Sequence, residues 1–521
     1  MNKKQNNTFF INTLIIIITN FVVKMLGLIN KIAITRMLGT NGMSLYVLSF
    51  PTIMLFISIA GFSLNITISK LVSEAIVSRK YSPKKLVKKS CLYSILLSFV
   101  MLILYLIFLK PLTIHFLKNE DLFYPLLAGA PLIMLVGISD GLKGYFTGIK
   151  KMHISSLGNL IEQIGRISFS LLFLYIMLPY GIITATFFCL LALSFGEICA
   201  ITYSLIKIKK YPIQSYDNTS GEGKAIIAMA VPTTTSRLIG NFTYFLEPIL
   251  YTTILSYLGY KVTDIQTTYT ILDAYTIPLL TFISFLPFAL STAMVPSVSE
   301  ASALNKTNSL HYYIRKSLTF CLIPSIILSI NLFLFANEYM NLIYGTIEGT
   351  SYIKYLTFIF VCYYLHIPIV AILQASGYAK KVFITSTIIH ITRLILLVIL
   401  SFIPYIGLNS VLIATTTTMI LGFIVNLIQL IKITKFKFQL SSIISITLIS
   451  VIGFSIAVIL KKWNVHYLLI LCITSIIVLS LSIWQKLIWI ESFKKYFLKR
   501  KKLREKLRRF LIKSYQKQAK E

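Results

Sequence analysis

The chain has 521 residues, 56% of them hydrophobic and 13% charged, with a formal net charge of +33. Soluble domains carry roughly 25% charged residues, so this chain lacks the polar surface that would keep a folded core in water. With a mean hydropathy of +0.80 and apolar runs of about twenty residues recurring throughout, the expected fold is an all-α polytopic membrane protein.

Fourteen spans are expected, starting near residues 9, 43, 90, 122, 154, 181, 225, 267, 317, 352, 382, 407, 440 and 466. The first follows Lys3 and Lys4 and has no small-x-small cleavage site, which reads as an uncleaved signal-anchor. With the N-terminus inside, the inner loops carry Arg79, Lys80, Lys84, Lys85, Lys88 and Lys89, then Lys143, Lys150 and Lys151, and further lysines at each even crossing. The outer loops carry few: Arg36, Lys110, Lys118, Lys261, Lys354, Lys461 and Lys462. This is the positive-inside pattern, and it places both termini in the cytoplasm of a multi-pass cell-membrane protein. The run 225–258 is too long for one upright helix and holds Pro232 and Pro248, so a kinked or broken helix is expected there. The tail from 491 spaces Phe493, Phe497, Leu503, Leu507 and Phe510 among basic residues. It reads either as an amphipathic helix on anionic membrane lipids or as a solvated extension. Charge placed this way does not call for nucleic acid. The six cysteines form no CxxC pair, so no zinc site or disulfide framework is indicated, and no metal or cofactor is expected.

A short word recurs. "SEA" stands at 73–75 and again at 299–301, and "GIKKMHISSLGNLIEQIGR" (148–166) parallels "GYAKKVFITSTIIHITR" (377–393) at nearly the same offset. Two matches at one offset indicate duplicated halves. Six spans separate the words, so the halves share one orientation and a pseudo-twofold axis along the membrane normal. The expected units are an N-terminal six-helix bundle (1–212), a C-terminal six-helix bundle (213–437), two additional helices (438–490) and a basic cytoplasmic tail (491–521). Glu74 and Glu300 then sit at the inner ends of the second span of each half. They are read either as gate residues pairing with nearby cations or as plain helix-end charge.

A charge at mid-bilayer costs roughly 2.5–3.5 kcal/mol on insertion scales, so each needs a reason. Lys24 and Lys31 share one face of span one, and Arg237 shares a face with Asn241 and Tyr244 in span seven. Lys24 and Arg237 have no partner on their own helices and are assigned to a cavity, with Lys31, Asn241 and Arg393 as further substrate-binding candidates. Glu162 and Arg166 are read as an i,i+4 ion pair, and Glu197 as an interface residue. His390 and Arg393 are open between structure and cavity. Glu247 and Asp273 are read as pairing with the cavity cations or binding a coupling cation.

These strings also carry a likeness. "YVLSFPTIMLFISIAGFSLNITISKLVSEA", "GYFTGIKKMHISSLGNLIEQIGRI", "YTIPLLTFISFLPFALSTAMVPSVSEA" and "IPYIGLNSVLIATTTTMILGF" resemble the stage V sporulation protein B-like proteins over roughly residues 8–435. The resemblance implies the multidrug/oligosaccharidyl-lipid/polysaccharide flippase superfamily, which includes the lipid II flippases. The implied cargo is a polyprenyl-diphosphate-linked sugar or peptidoglycan precursor, that is, a lipid-linked oligosaccharide or lipid II-like substrate. Flippases of this group commonly place Arg before a hydrophobic-Leu-Gly step in span one. "KMLG" puts Lys24 there, keeping the charge without the bidentate fork. A cation-coupled multidrug exporter is the alternative, disfavoured because the unpaired intramembrane charge leans basic. A membrane enzyme would need a large loop with paired carboxylates; no such loop occurs, so no catalytic residue is expected. Oligomeric state is not addressed by the sequence.

Overall fold

The computed structural model describes residues 3–216 and 220–485. The tail at 491–521, and with it the amphipathic-helix reading, lies outside the described residues. Throughout, the chain is helical because a bilayer offers backbone groups no other partner than the helix itself. The first half comprises α1 (Lys3–Ala60), α2 (Leu64–Ser78), α3 (Pro83–Pro111), α4 (Phe123–Leu127), α5 (Ala130–Gly148), α6 (Met152–Met177) and α7 (Ile182–Lys210). The second half runs through α8 (Glu222–Tyr257), α9 (Val262–Thr270), α10 (Ile277–Phe282), α11 (Phe285–Ala303), α12 (Thr307–Leu334), α13 (Ala336–Tyr344), α14 (Thr350–Leu373), α15 (Ala379–Ser401) and α16 (Ser410–Thr434). Two further helices, α17 (Leu440–Lys462) and α18 (Tyr467–Trp484), pack against α12.

Among the described residues, ten helices are long and apolar enough to cross a bilayer, or eleven when the pair Val262–Phe282 and Phe285–Ser291, bent by 51°, counts as one. Two of these stretches, of 56 and 52 residues, far exceed the roughly 20 residues a crossing needs. Each contains a glycine in the left-handed region, Gly39 at φ 62° and Gly377 at φ 92°, a conformation that costs glycine little. The α1–α2 junction is a different kind of break. Phe62 (φ 48°) and Ser63 (φ 46°) are both left-handed without being glycine, a strained arrangement. No break occurs at 225–258: α8 stays helical for 36 residues across Pro232 and Pro248. Hydroxyls in the spans bond back to carbonyls one turn earlier, as Thr243 does to Ile239 at 3.0 Å, which lets polar residues sit in apolar surroundings.

The core shows how the halves meet. At one end a single core joins Leu109, Leu117 and Leu122 of the first half to Leu255, Ile265 and Tyr344 of the second. Toward the other end the core divides. Leu71, Val72, Leu86 and Phe146 form one cluster, while Val298, Ile314, Leu373 and Leu430 form another. Polar contacts follow the same asymmetry. At the joined end Arg36 Nε donates to the Ile343 carbonyl at 2.7 Å, Thr40 Oγ1 to Glu348 at 2.9 Å, and Asn119 Nδ2 to Gln266 Oε1 at 2.8 Å. Ile226 and Ala230, at the start of α8, are buried within the first half's own cluster, so α8 begins against one half and ends in the other.

Candidate functional site at the seam between the halves

Close helix approach builds the first half's charge cluster. On α7, Gly196 lies so near α6 that a Cβ there would come within 2.8 Å of the Glu162 carbonyl. Such contact between backbones is what small residues permit in membrane helices. It sets Glu197 beside Arg166, whose Nη2 lies 2.9 Å from Glu197 Oε1. Arg166 also pairs with Glu162 along α6, as the spacing predicts. Lys143 of α5 pairs with Glu162 and lies 3.6 Å from Glu197. Lys143 was expected in an inner loop; it is instead inside a helix, 4% exposed. The hydropathy break it makes in "SDGLKG" is offset by two carboxylates from other helices. Glu197, expected at an interface, is likewise a buried member of this group of four.

Three sequence candidates converge elsewhere. Lys24, Lys31 and Asp273 line a cavity of about 380 Å³ with Tyr244, Phe282 and Phe285. A second chamber of about 230 Å³ shares Gly27, Lys31, Tyr244 and Asp273 with it and adds Asn30, Gln163 and Arg166. α1 faces α9–α11 here, so the site lies on the seam. Residues 271–276 form a wide π-type turn, which loosens the carbonyl ladder. The Asp273 carbonyl there accepts a hydrogen bond from Lys31 Nζ at 3.0 Å. Lys24 Nζ sits 3.2 Å from the centre of the Phe288 ring, a cation–π contact.

Arg237 and Asn241 do not line these two chambers. They cross the seam to the strained α1–α2 break: Arg237 Nη1 lies 3.5 Å from Ser63 Oγ, and Asn241 Nδ2 donates to Ser58 Oγ. Asp140 of α5 lies in electrostatic reach of both Arg237 and Lys143 and hydrogen-bonds the Asn65 side chain. Asp140 is not among the residues expected at the site, although its i,i+3 spacing from Lys143 is a signal in the sequence. Arg393, offered as a substrate ligand, instead holds buried Glu247 at 2.8 Å. His390 is one turn away on α15, near Gly240. Glu74 and Glu300 are both exposed, and among the described residues neither makes an ion pair. Their neighbours Ala75 and Ala301 belong to the two separate clusters of the divided end. Ser299 Oγ donates to the Ala375 carbonyl at 3.0 Å.

Chemically, the seam cavity offers two lysines, the edge of Arg166, amide and phenol groups, and an aromatic wall. One carboxylate faces them. This set suits an anion with polar substituents better than a cation.

Comparison with known proteins agrees with this frame. The polysaccharide biosynthesis protein family model matches residues 9–302, and the MatE model matches 272–403. Stage V sporulation protein B of Bacillus subtilis (strain 168) is 31% identical over 457 residues, covering 86% of this chain and 88% of that protein. Sporulation protein YkvU of the same organism is 25% identical over 430 residues, covering 80% and 93%. Among solved structures, the lipid II flippase MurJ in an inward closed conformation aligns with a TM-score of 0.65 at 18% identity, covering 91% of this chain and 99% of that one. An inward-facing multidrug resistance MATE family transporter aligns with a TM-score of 0.59 at 16% identity, covering 79% and 94%. The chain belongs to the polysaccharide biosynthesis protein family, among the stage V sporulation protein B-like members of the multidrug/oligosaccharidyl-lipid/polysaccharide flippase superfamily.

Proposed function

We propose that this protein is a flippase that moves a polyprenyl-diphosphate-linked sugar or peptidoglycan precursor from the inner to the outer leaflet by alternating access. The observation that carries the reading is the cavity at Lys24 and Lys31, set on the seam between halves that share a core at one end and separate at the other. Two cations suit a diphosphate, and Asn30, Gln163 and Tyr244 suit sugar hydroxyls. Lys31 is held by a main-chain carbonyl of the opposite half. A diphosphate that took Lys31 from this carbonyl would loosen the seam as it bound. With the inside negative, an anionic headgroup gains about 2.3 kcal/mol per charge per 100 mV on moving outward. The curated relative and the MurJ fold support this reading over catalysis. The match of the MatE model favours a cation-coupled multidrug exporter as a second reading. The excess of lysine over carboxylate in the cavity weighs against it.

Dividing the two overlong stretches at Gly39 and Gly377, and counting α8, supports fourteen spans: two six-helix bundles over 1–212 and 213–437, then α17 and α18. In this topology the divided end faces the cytoplasm, as do both termini. Glu74 and Glu300 are then inner-gate residues that separate when the cavity faces in. Depletion of the protein is expected to leave a lipid-linked glycan precursor on the inner leaflet; accumulation of no such precursor overturns the proposal. In intact cells, single cysteines at 119 or 348 are expected to react with an impermeant maleimide and one at 84 to stay unlabelled. Labelling at 84 sinks the topology.

A further inference from the structure

A second pair of chambers lies away from the seam, between α12, α14, α16 and the start of α17. One, of about 300 Å³, is walled by apolar side chains including Leu318, Leu322, Phe423 and Ile446. The other, of about 520 Å³, is polar and holds Arg315, Lys316, Ser441 and Ser445. The two adjoin: Arg315, Thr319, Gln439 and Ser442 line both. Among the described residues, none that lines either chamber is Asp or Glu, and none is shared with the seam cavity.

We propose that these chambers hold one anionic glycerophospholipid of the bilayer, its phosphodiester at Arg315 and Lys316 and an acyl chain in the apolar chamber, so that a lipid joins the added helix pair to the second half.

The argument is one of matched chemistry. A polar chamber with two cations and an adjoining apolar chamber is the complement of an amphiphile with an anionic head. Arg315 is exposed and Lys316 is half-buried, its ammonium 3.2 Å from the Tyr312 hydroxyl, which leaves both heads directed to the polar side. Serine hydroxyls and the Gln439 amide supply donors for phosphate and glycerol oxygens. The chain's own C-terminal segment is a poor occupant. By sequence residues 491–521 are densely basic, with Lys494, Lys495, Lys499, Arg500, Lys501 and Lys502 against Glu491 in the first part, a charge that complements Arg315 and Lys316 less well than a phosphate does. The packing is consistent with a lipid-filled joint: α17 meets α12 near Ile323, Ile327 and Ile449 and again near Ile330 and Ala457, above the gap that the lipid would fill.

The test uses the full chain, purified and delipidated in detergent, with dioleoylphosphatidylglycerol, dioleoylphosphatidylcholine, undecaprenyl phosphate and inorganic phosphate as separate probes. Binding is read by native mass spectrometry and by the shift in melting temperature. Phosphatidylglycerol is expected to bind and raise the melting temperature; phosphatidylcholine and inorganic phosphate are not. Arg315→Gln with Lys316→Gln is expected to weaken phosphatidylglycerol binding roughly thirtyfold, the loss of two phosphate-facing cations. Leu322→Trp, which fills the tail chamber from its apolar wall, is expected to weaken it without changing charge. Equal binding of phosphatidylcholine, preference for undecaprenyl phosphate, or unchanged phosphatidylglycerol binding in both variants each overturns the proposal. Because the readout is lipid binding, a failure here leaves the flipping reaction untouched, and failure of Lys24 or Lys31 variants to affect flipping leaves this site untouched.

Discussion

In the first half, Lys143, Glu162, Arg166 and Glu197 come from three helices, lie within a few ångströms of one another and sum to zero charge. At the seam, Lys24 rests on an aromatic ring and Lys31 on a main-chain carbonyl. Both regions put cations inside the membrane, yet their partners differ in kind. A carboxylate that is paired in this way leaves a cation little free capacity; a ring face or a carbonyl of the other half leaves most of it. The contrast separates charge that holds a bundle together from charge that is available to a substrate. Glu247 and Arg393 fall with the first kind, since each buries its charge on the other.

The comparison breaks most visibly if the cluster of four proves dispensable. Lys143→Met leaves two carboxylates against one guanidinium, and removing one partner of a buried pair costs about 3–5 kcal/mol. The expected outcome is a lost or strongly broadened monodisperse peak in detergent and a much lower melting temperature. Normal folding with lost transport would move these residues to the functional side. The next largest effect is expected at the seam. Lys31→Ala and Lys24→Ala should insert and melt like the parent yet flip the precursor in vesicles roughly ten- to a hundredfold more slowly, the worth of one charge-assisted hydrogen bond. Lys24→Arg should keep transport. A Lys24→Ala protein with full activity would make that lysine a structural or lipid-facing residue. The smallest effect belongs to the joined end, where Thr40→Val removes a hydroxyl that bonds Glu348 and Tyr275. A loss of about 1 kcal/mol should shift the balance between states severalfold. It is measurable as increased maleimide access to a cysteine at position 40's neighbour Asn41, with unchanged stability.

Part of this division was legible beforehand. The i,i+4 spacing of Glu162 and Arg166 announced their pair, and the lack of a partner on their own helices marked Lys24 and Arg237 as unusual. Lys143 and Asp140 were not recovered because a lysine between two glycines reads as a loop to any hydropathy window. Arg393 was assigned to a ligand because its partner, Glu247, lies 146 residues earlier on another helix. Arg237 was assigned to the cavity for the same reason, its contacts being Ser63 and the Asp140 region of the opposite half.

By itself the sequence determined that the chain is a helical membrane protein, where its apolar runs fall, and which residues carry charge into them. The bilayer makes these properties local: each run must satisfy its own backbone and is long enough or not by its own length. Only the tertiary structure decided which charges neutralise one another, that the halves share a core at one end and part at the other, and that α8 remains unbroken across two prolines. Those outcomes depend on which faces pack. They are set by close approaches such as that of Gly196 in α7 to α6 and by the carbonyl that a wide turn frees at Asp273, and such pairings between distant helices leave no periodic trace along the chain.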